Sequence, residues 1–297
     1  GGSCTGPRPF GGDGDVAKGL TAVKTAFGGV EALRWREEGL VVAVVDRVCC
    51  VQGGQLREVT RRSSLILTLC FHEGRVYDGG RYGQVYDTVA DVKVADREDW
   101  VLSLCSHRGV LYDAGSYQRI YETLSGREVA ARPGTVHALC SFGEALYDGG
   151  SYGGIYETLV GKEIGRREGE VLALAAHEGG LFDGGGDGRI HETLTGREVG
   201  ARGGSVLSLC SHGGQLHDGT SEGLICETIT DRKLADRDFP VTALCSHQDR
   251  LYDGGPYGFI YDTLEGRMVV GGIKAVTAMV SVPPDVFRAL WVRAEKG

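Results

Sequence analysis

The 297-residue chain contains no asparagine and only six glutamines, although it is rich in turn-forming residues. Depletion of these heat-labile amides is one mark of proteins from hot environments. Arginine outnumbers lysine by 25 to 7, a bias that a GC-rich genome would also produce. Such a genome does not explain the missing asparagine, so the composition favours a thermophilic source.

Features of membrane-spanning and exported proteins are absent as well. No stretch reaches the roughly 18 apolar residues of a membrane span, and no signal peptide opens the chain. The formal net charge of −8 disfavours non-specific binding to nucleic acid or to an anionic membrane. We therefore expect a cytoplasmic protein without direct nucleic-acid or membrane binding.

Catalytic motifs are also lacking: the sequence has no Gly-x-Ser-x-Gly elbow, P-loop, His-Glu-x-x-His or EF-hand spacing. The 49 glycines make Gly-x-Gly fragments too common to indicate phosphate binding. We expect no catalytic residue, no cofactor and no metal.

What the chain does contain is a repeat of 35 residues, present six times in succession without insertion or deletion. The copies start at Ile66, Val101, Val136, Val171, Val206 and Val241. A period of this length indicates a solenoid, a propeller or an array. Function then has to be sought mainly where a copy departs from the repeat.

Within a copy the apolar residues alternate with a period of two. In the second copy this predicts four strands, at Val101–Ser106, Val110–Tyr112, Arg119–Leu124 and Glu128–Ala131. Gly- or Asp-bearing turns separate them, so the unit is an antiparallel meander and one propeller blade.

The amino-acid sequence of the repeat resembles the repeats of known propeller families. Val241–Gly255 is similar to the first two strands of a WD-repeat, and its diglycine after Leu-Tyr-Asp resembles the kelch repeat. Ile155–Lys162 is similar to quinoprotein-type blades. The Trp-Asp pair of WD repeats and the Tyr…Trp pair of kelch repeats are missing, so the resemblance implies an architecture and no family function.

The two ends of the chain determine the number of blades. Residues 30–65 keep the strand pattern and form a degenerate seventh copy of the unit, and residues 276–297 begin another copy. Gly11–Thr21 matches Gly185–Thr195, so residues 10–29 can complete that last unit as a composite blade. This predicts one all-β propeller domain over residues 1–297, closed by N- and C-terminal strands. Its eight blades are 30–65, 66–100, 101–135, 136–170, 171–205, 206–240, 241–275, and 276–297 with 10–29.

The alternative is seven blades. Val16, Leu20, Val23 and Phe27 are spaced as on a helix. Asp15–Phe27 and Asp285–Ala294 would then be amphipathic helices rather than strands. The Gly-Asp-Gly match favours eight blades over seven.

Each position of the repeat becomes a ring of side chains, and two of these rings are charged. The acidic ring is Asp78, Asp113, Asp148, Asp183, Asp218 and Asp253; the basic ring is Arg62, Arg97, Arg132, Arg167, Arg202 and Arg237. Both are expected on one rim, where they either bind an ionic ligand or connect blades as ion pairs. Ion pairing is the favoured interpretation.

A third ring is aromatic and follows the diglycine. It consists of Tyr82, Tyr117, Tyr152 and Tyr257, with Asp187 and Glu222 in the other two copies. Tyrosines on the loops of a rigid scaffold are typical of protein and sugar recognition. Alternatively, the aromatic side chain of each tyrosine covers the glycine turn of its own blade.

Histidines and cysteines also recur, and both patterns indicate packing. The histidines are His72, His107, His177, His212 and His247, with Phe142 in the remaining copy. The cysteines are Cys70, Cys105, Cys140, Cys210 and Cys245, with Ala175 in the remaining copy. Positions that accept Phe or Ala are unsuited to metal ligation.

Together these observations predict a non-catalytic scaffold that binds a partner protein through the rim bearing the Tyr and Arg/Asp rings. One alternative is a carbohydrate-binding propeller with repeated sites between the Tyr-bearing turns. Another is an enzyme with its site at the channel mouth.

Overall fold

A computed structural model of the chain describes residues 39–295 apart from Gly53 and Ile273. In these residues the backbone forms 28 β-strands, one 3₁₀ turn (Ser151–Gly153) and one α-helix, α1 (Pro284–Ala294). The strands make seven four-stranded antiparallel sheets. The described chain is therefore an all-β propeller, as the repeat predicts.

Six of the sheets, blades 1 to 6, each use one copy of the repeat, and the seventh, blade 7, combines β28 with β1–β3. In chain order, β1 to β3 are Leu40–Val44, Arg47–Gln52 and Gln55–Arg61. Blade 1 comprises β4 to β7, at Ile66–His72, Arg75–Gly80, Gln84–Asp87 and Val92–Asp96. Blade 2 comprises β8 to β11, at Val101–His107, Val110–Gly115, Arg119–Glu122 and Glu128–Ala131. Blade 3 comprises β12 to β15, at Val136–Phe142, Ala145–Gly150, Gly154–Glu157 and Lys162–Arg166.

The bounds of the remaining strands follow the same plan. Blade 4 comprises β16 to β19, at Val171–His177, Gly180–Gly185, Arg189–Glu192 and Arg197–Ala201. Blade 5 comprises β20 to β23, at Val206–His212, Gln215–Thr220, Leu224–Glu227 and Arg232–Asp236. Blade 6 comprises β24 to β27, at Ala243–His247, Arg250–Gly254, Ile260–Asp262 and Arg267–Val270. The strand β28 is Val276–Ser281.

The hydrophobic core lies between neighbouring blades. Tyr77 and Val85 of blade 1, for example, pack with Val101, Leu104 and Leu111 of blade 2. The diglycine of the repeat permits this approach, because a Cβ on Gly79 would lie 2.8 Å from Cγ1 of Val101. Each blade thus buries its face against the next one, and the ring is stabilised as a whole.

The prediction of eight blades is wrong, and the seven-blade alternative is confirmed. β28 pairs antiparallel with β1 and so becomes the innermost strand of the sheet that continues through β2 and β3. The ring is closed by a composite blade, as expected, but its partners are residues 276–281 and 40–61. The strand pattern of residues 30–65 predicts a complete four-stranded blade. In the structure, residues 40–61 supply three strands of blade 7, and β28 supplies the fourth.

The chain after β28 is helical. Val286, Phe287 and Leu290 of α1 are buried against β1, β2 and blade 1. This agrees with the helix predicted over Asp285–Ala294. The companion prediction for Asp15–Phe27, and the use of residues 10–29 in a composite blade, fall outside the described residues.

Candidate functional site

The arginines and aspartates of the two charged rings form six ion pairs between successive repeats. In every pair the guanidinium donates two hydrogen bonds to the carboxylate, at 2.6 to 2.8 Å. The arginine follows the fourth strand of one blade, and the aspartate lies within the second strand of the next. The pairs are Arg62–Asp78, Arg97–Asp113, Arg132–Asp148, Arg167–Asp183, Arg202–Asp218 and Arg237–Asp253.

These pairs are almost completely removed from solvent. Burial raises the pKa of the Asp148 and Asp253 carboxyls, although Arg132 and Arg237 counteract it. Burial is the largest influence on Arg237 and opposes its charge, but the hydrogen bond to Asp253, the Asp253 charge and Tyr261 together outweigh it and raise the pKa of Arg237. The carboxylates are already occupied by partners inside the fold.

Two further contacts support these pairs, the first in five of the six and the second in four. The threonine that follows the third strand donates to the ring aspartate, as Thr88 does to Asp78 at 2.7 Å. The arginine also lies over a tyrosine ring of the third strand, as Arg62 does over Tyr86 at 4.0 Å. The threonine of the recurring Glu-Thr and Asp-Thr sequence pairs thus donates a hydrogen bond to the buried ion pair.

Three of the four ring tyrosines are exposed, and the fourth is not. Tyr82, Tyr152 and Tyr257 are between 61 and 68% exposed. Tyr117 is half-buried and its hydroxyl donates to Asp113 at 2.6 Å. Burial and the neighbouring Asp113 charge raise the pKa of Tyr117.

The residue after the ring position also differs between blade 2 and the other copies. In five copies it is a glycine with positive φ; a Cβ on Gly153, for instance, would lie 2.1 Å from the carbonyl oxygen of Arg167. In blade 2 the position holds Gln118, with a φ of 62°. The backbone of the turn is nevertheless the same, because the N–H of Gln118 donates to the carbonyl oxygen of Gly115 as that of Gly83 does to Gly80.

Two of the exposed tyrosines contact the link that precedes their own blade. A Cβ added to Gly134 would lie 2.7 Å from the Tyr152 ring, which therefore covers that glycine. Tyr257 packs edge-on against Phe239, with ring centroids 6.1 Å apart.

The two acidic copies of the loop differ from each other. Asp187 is half-buried, and its carboxylate accepts the backbone N–H of Arg189 at 3.0 Å. Glu222 is exposed beside Gly203 and Gly204. The six loops are thus a non-equivalent set rather than a uniform ring.

A residue that the sequence prediction missed lies beside Tyr152. His137 is the second residue of the first strand in blade 3, where the other copies have leucine or threonine. Its Nε2 lies 3.3 Å from Oγ of Ser151 and 3.7 Å from Oε2 of Glu170. The departure from the repeat was the available signal.

A shallow cleft adjoins this residue. Its lining includes Ser151, Tyr152, Tyr156, Arg132 and Arg166. Arg166 donates to the carbonyl oxygen of Tyr152 at 2.8 Å and so fixes the loop. The cleft is therefore a rigid part of the tyrosine-bearing face.

The described ranges contain neither a candidate metal centre nor a candidate membrane-spanning helix. No cluster of three or more His, Cys, Asp or Glu side chains suited to a metal ion occurs in residues 39–295 outside the two gaps. In the same part of the chain, no helix has the length and apolar character needed to cross a membrane.

Comparison with known proteins places the fold. No family model and no curated protein matches the chain. The WD40 β-propeller domain of Doa1 is similar in structure, with a TM-score of 0.61, 11% identity, and coverage of 90% of this chain and 98% of that one.

Two other solved structures give the same result. A chain of the mitotic checkpoint complex has a TM-score of 0.60 and 17% identity, covering 85% of this chain and 93% of its own. The computationally designed Ika8 protein has a TM-score of 0.59 and 18% identity, covering 89% and 99%. At these identities the likeness concerns architecture alone: the chain is a seven-bladed β-propeller similar in fold to WD40 propeller domains.

Proposed function

We propose that this propeller is a non-catalytic scaffold that binds a partner protein through the face bearing the second-to-third strand loops. The observation that carries the proposal is the exposure of Tyr82, Tyr152 and Tyr257 on loops anchored to the blades. Tyrosine supplies large contact area at low cost in conformational entropy, and it is enriched at interface centres. The Arg/Asp rings would hold these loops in place rather than contact the partner.

The inequality of the loops favours a protein over a sugar. Repeated sugar sites would need equivalent turns, but Tyr117 is turned inward and Asp187 stabilises its own loop. A single asymmetric partner fits a face on which the exposed groups differ from blade to blade. The acidic side chain of Glu222, next to the Tyr257 blade, would favour a basic region of that partner.

The geometry of His137 supports a non-catalytic role at the channel mouth. In a Ser-His-acid triad the acid contacts the imidazole nitrogen opposite the one that faces the serine. Here Ser151 and Glu170 both approach Nε2. This arrangement can orient a polar loop, but it does not form the relay that activates a serine.

The test compares matched triple variants in pull-downs from the source organism. One variant replaces Tyr82, Tyr152 and Tyr257 by Ala; the control replaces the exposed Leu124, Leu194 and Leu264, in turns at the opposite end of the third strand, by Ala. A specific partner should be captured by the wild type and the control but lost with the tyrosine variant. Titration with the purified partner should show affinity weakened about a hundredfold or more, as expected for loss of interface aromatics. Equal binding by the tyrosine variant would contradict the proposal.

A further inference from the structure

Arg293, in the last turn of helix α1, makes polar contacts with blades 7 and 1 in addition to the apolar packing of the helix. The Arg293 guanidinium donates to the carbonyl oxygens of Val89 and Val59 and pairs with Oδ2 of Asp91 at 2.9 Å. The other oxygen of Asp91 accepts from Arg62 at 2.5 Å. Asp91 therefore links the ring arginine of the fold to the arginine of a docked helix.

The surroundings of this contact are apolar and cationic. Val59 and Val89 pack in the same cluster as Phe287 and Leu290 of the helix. On the outer side, Arg57 lies over the Trp291 ring, 4.2 Å from its centroid. The anchor is thus an arginine held between an aspartate and aliphatic side chains.

Asp91 occupies an unusual position of the repeat. It lies in the turn between the third and fourth strands with a φ of 60°, in the left-handed region that favours glycine. The equivalent residue is glycine in blades 2, 3, 4 and 6, but it is Asp231 in blade 5, with a φ of 56°. A strained aspartate is therefore kept at two of six turns, and one of the two receives Arg293.

Blade 5 repeats the rest of the anchor as well. Arg202 donates to Oδ1 of Asp231 at 2.7 Å, as Arg62 does to Asp91. Val199 and Ile229 stand where Val59 and Val89 stand in the first site. Here, however, Ile229 is 51% exposed and the Asp231 side chain is 79% exposed.

The two sites differ in the residue that lies opposite the outer arginine of the sheet, and this difference limits how a helix could bind at the blade 5 site. Opposite Arg57 in the sheet is Cys50, which packs under the helix, whereas opposite Arg197 is Glu192. Glu192 already pairs with Arg197 at 3.3 Å. The blade 5 site therefore suits the arginine-bearing last turn of a helix better than a long apolar helix face.

We propose that Val199, Arg202, Ile229 and Asp231 form a docking site for an amphipathic helix of a partner protein whose last turn presents an arginine. The arginine would pair with Asp231, and neighbouring apolar side chains would cover Ile229, as α1 does on blade 1. This site lies at the opposite end of the third strand from the tyrosine loops. The inference is therefore independent of the proposed function.

The test uses a synthetic fluorescent peptide with the sequence of residues 282–295 as the probe, titrated with the full chain. We expect saturable one-to-one binding that Asp231→Gly weakens about tenfold or more, as for loss of a charged hydrogen-bond partner. Asp238→Gly, which removes an exposed acid elsewhere, should leave the affinity unchanged. Arg293→Leu in the peptide should weaken binding as much as Asp231→Gly does in the protein.

Asp231→Gly restores the glycine of the other turns, so folding is expected to be retained and is checked by circular dichroism. Failure to saturate at millimolar protein would overturn the proposal, as would equal binding by Asp231→Gly. Binding that is lost with Asp91→Gly instead would mean that the peptide replaces α1. A concentration-dependent dimer dissociated by Asp231→Gly would identify a second copy, rather than a partner, as the occupant.

Discussion

His107 of blade 2 lies with its Nδ1 2.8 Å from Oγ of Ser141, on the first strand of blade 3. The same bond occurs at four other blade junctions, between His72 and Ser106, His177 and Ser211, His212 and Ser246, and His247 and Ser281. Where the histidine is Phe142, the partner position is Ala176, and both pack in one cluster. At the closure the two positions hold Val282 and Phe71, again both apolar.

The histidine and the serine are thus replaced together by apolar residues. This predicts that their contributions to stability are strongly coupled. Ser141→Ala should cost about 1–2 kcal/mol in the free energy of unfolding, because it leaves a buried imidazole nitrogen without its partner. Adding His107→Phe should recover part of that loss, since it recreates the Phe142–Ala176 pair. Urea unfolding of both single variants and the double variant measures the coupling. Additive effects of the two changes would contradict it.

The buried histidines also predict acid sensitivity. Burial lowers the pKa of His247 to about 4, and burial with the charge of His212 lowers that of His217 to about 4. The unfolded chain binds these protons at its ordinary pKa of about 6.5, so the folded state has fewer protons between these values. Stability is therefore complete above pH 6.5 and falls toward pH 4, by about 3 kcal/mol for each group.

The measurement is the free energy of unfolding in urea at several pH values from 7.5 to 4. The double change His247→Phe with Ser281→Ala removes the titration of His247 and should make the pH dependence of the free energy of unfolding less steep. If the free energy of unfolding of this variant depended on pH as steeply as that of the wild type, His247 would not be a source of the acid sensitivity.

Breaking one ring ion pair should be far more costly than breaking an exposed one. Asp183→Ala leaves the buried guanidinium of Arg167 uncompensated, and we expect a loss of about 3–5 kcal/mol. Glu144→Gln removes the exposed partner of Arg108 and should cost less than about 1 kcal/mol. The double change Arg167→Met with Asp183→Leu should restore most of the stability, measured by denaturant unfolding. A double variant as unstable as Asp183→Ala would refute this interpretation.

Helix α1 should contribute to the stability of the closure through its buried face. Phe287 is almost fully buried against blades 7 and 1, and Phe287→Ala should cost about 3–5 kcal/mol. Val292 is exposed on the same helix, and Val292→Ala should change stability by less than about 0.5 kcal/mol. Thermal unfolding compares the Phe287→Ala and Val292→Ala variants. Similar melting temperatures would mean that the helix does not stabilise the propeller.

The blade itself could be predicted from local pattern, because strand alternation and turn glycines are encoded within 35 residues. The fourth strand of blade 2 was predicted at Glu128–Ala131, where β11 lies. The number of blades depended instead on the partner of β28. That pairing joins residues far apart in the chain, and β28 has the same alternation as any first strand.

The candidate site was predictable to the extent that each copy follows the repeat. The exposure of Tyr82, Tyr152 and Tyr257 follows from their loop position, whereas the inward position of Tyr117, in an equivalent loop, is not indicated by the repeat. The significance of Asp231 could not be inferred from the sequence alone. It depends on the tertiary contact between Arg293 of α1 and the equivalent Asp91, which the repeat pattern does not encode.

The pairing of β28 with β1 also sets an order of events during synthesis. β1 leaves the ribosome first among the described strands, and β28 follows only after all six repeat blades. Until then the inner edge of β1 offers unpaired N–H and C=O groups, which are a template for pairing with another chain. Nascent molecules would therefore be most prone to associate wrongly just before β28 emerges, and slower elongation over the last blade would prolong that exposure.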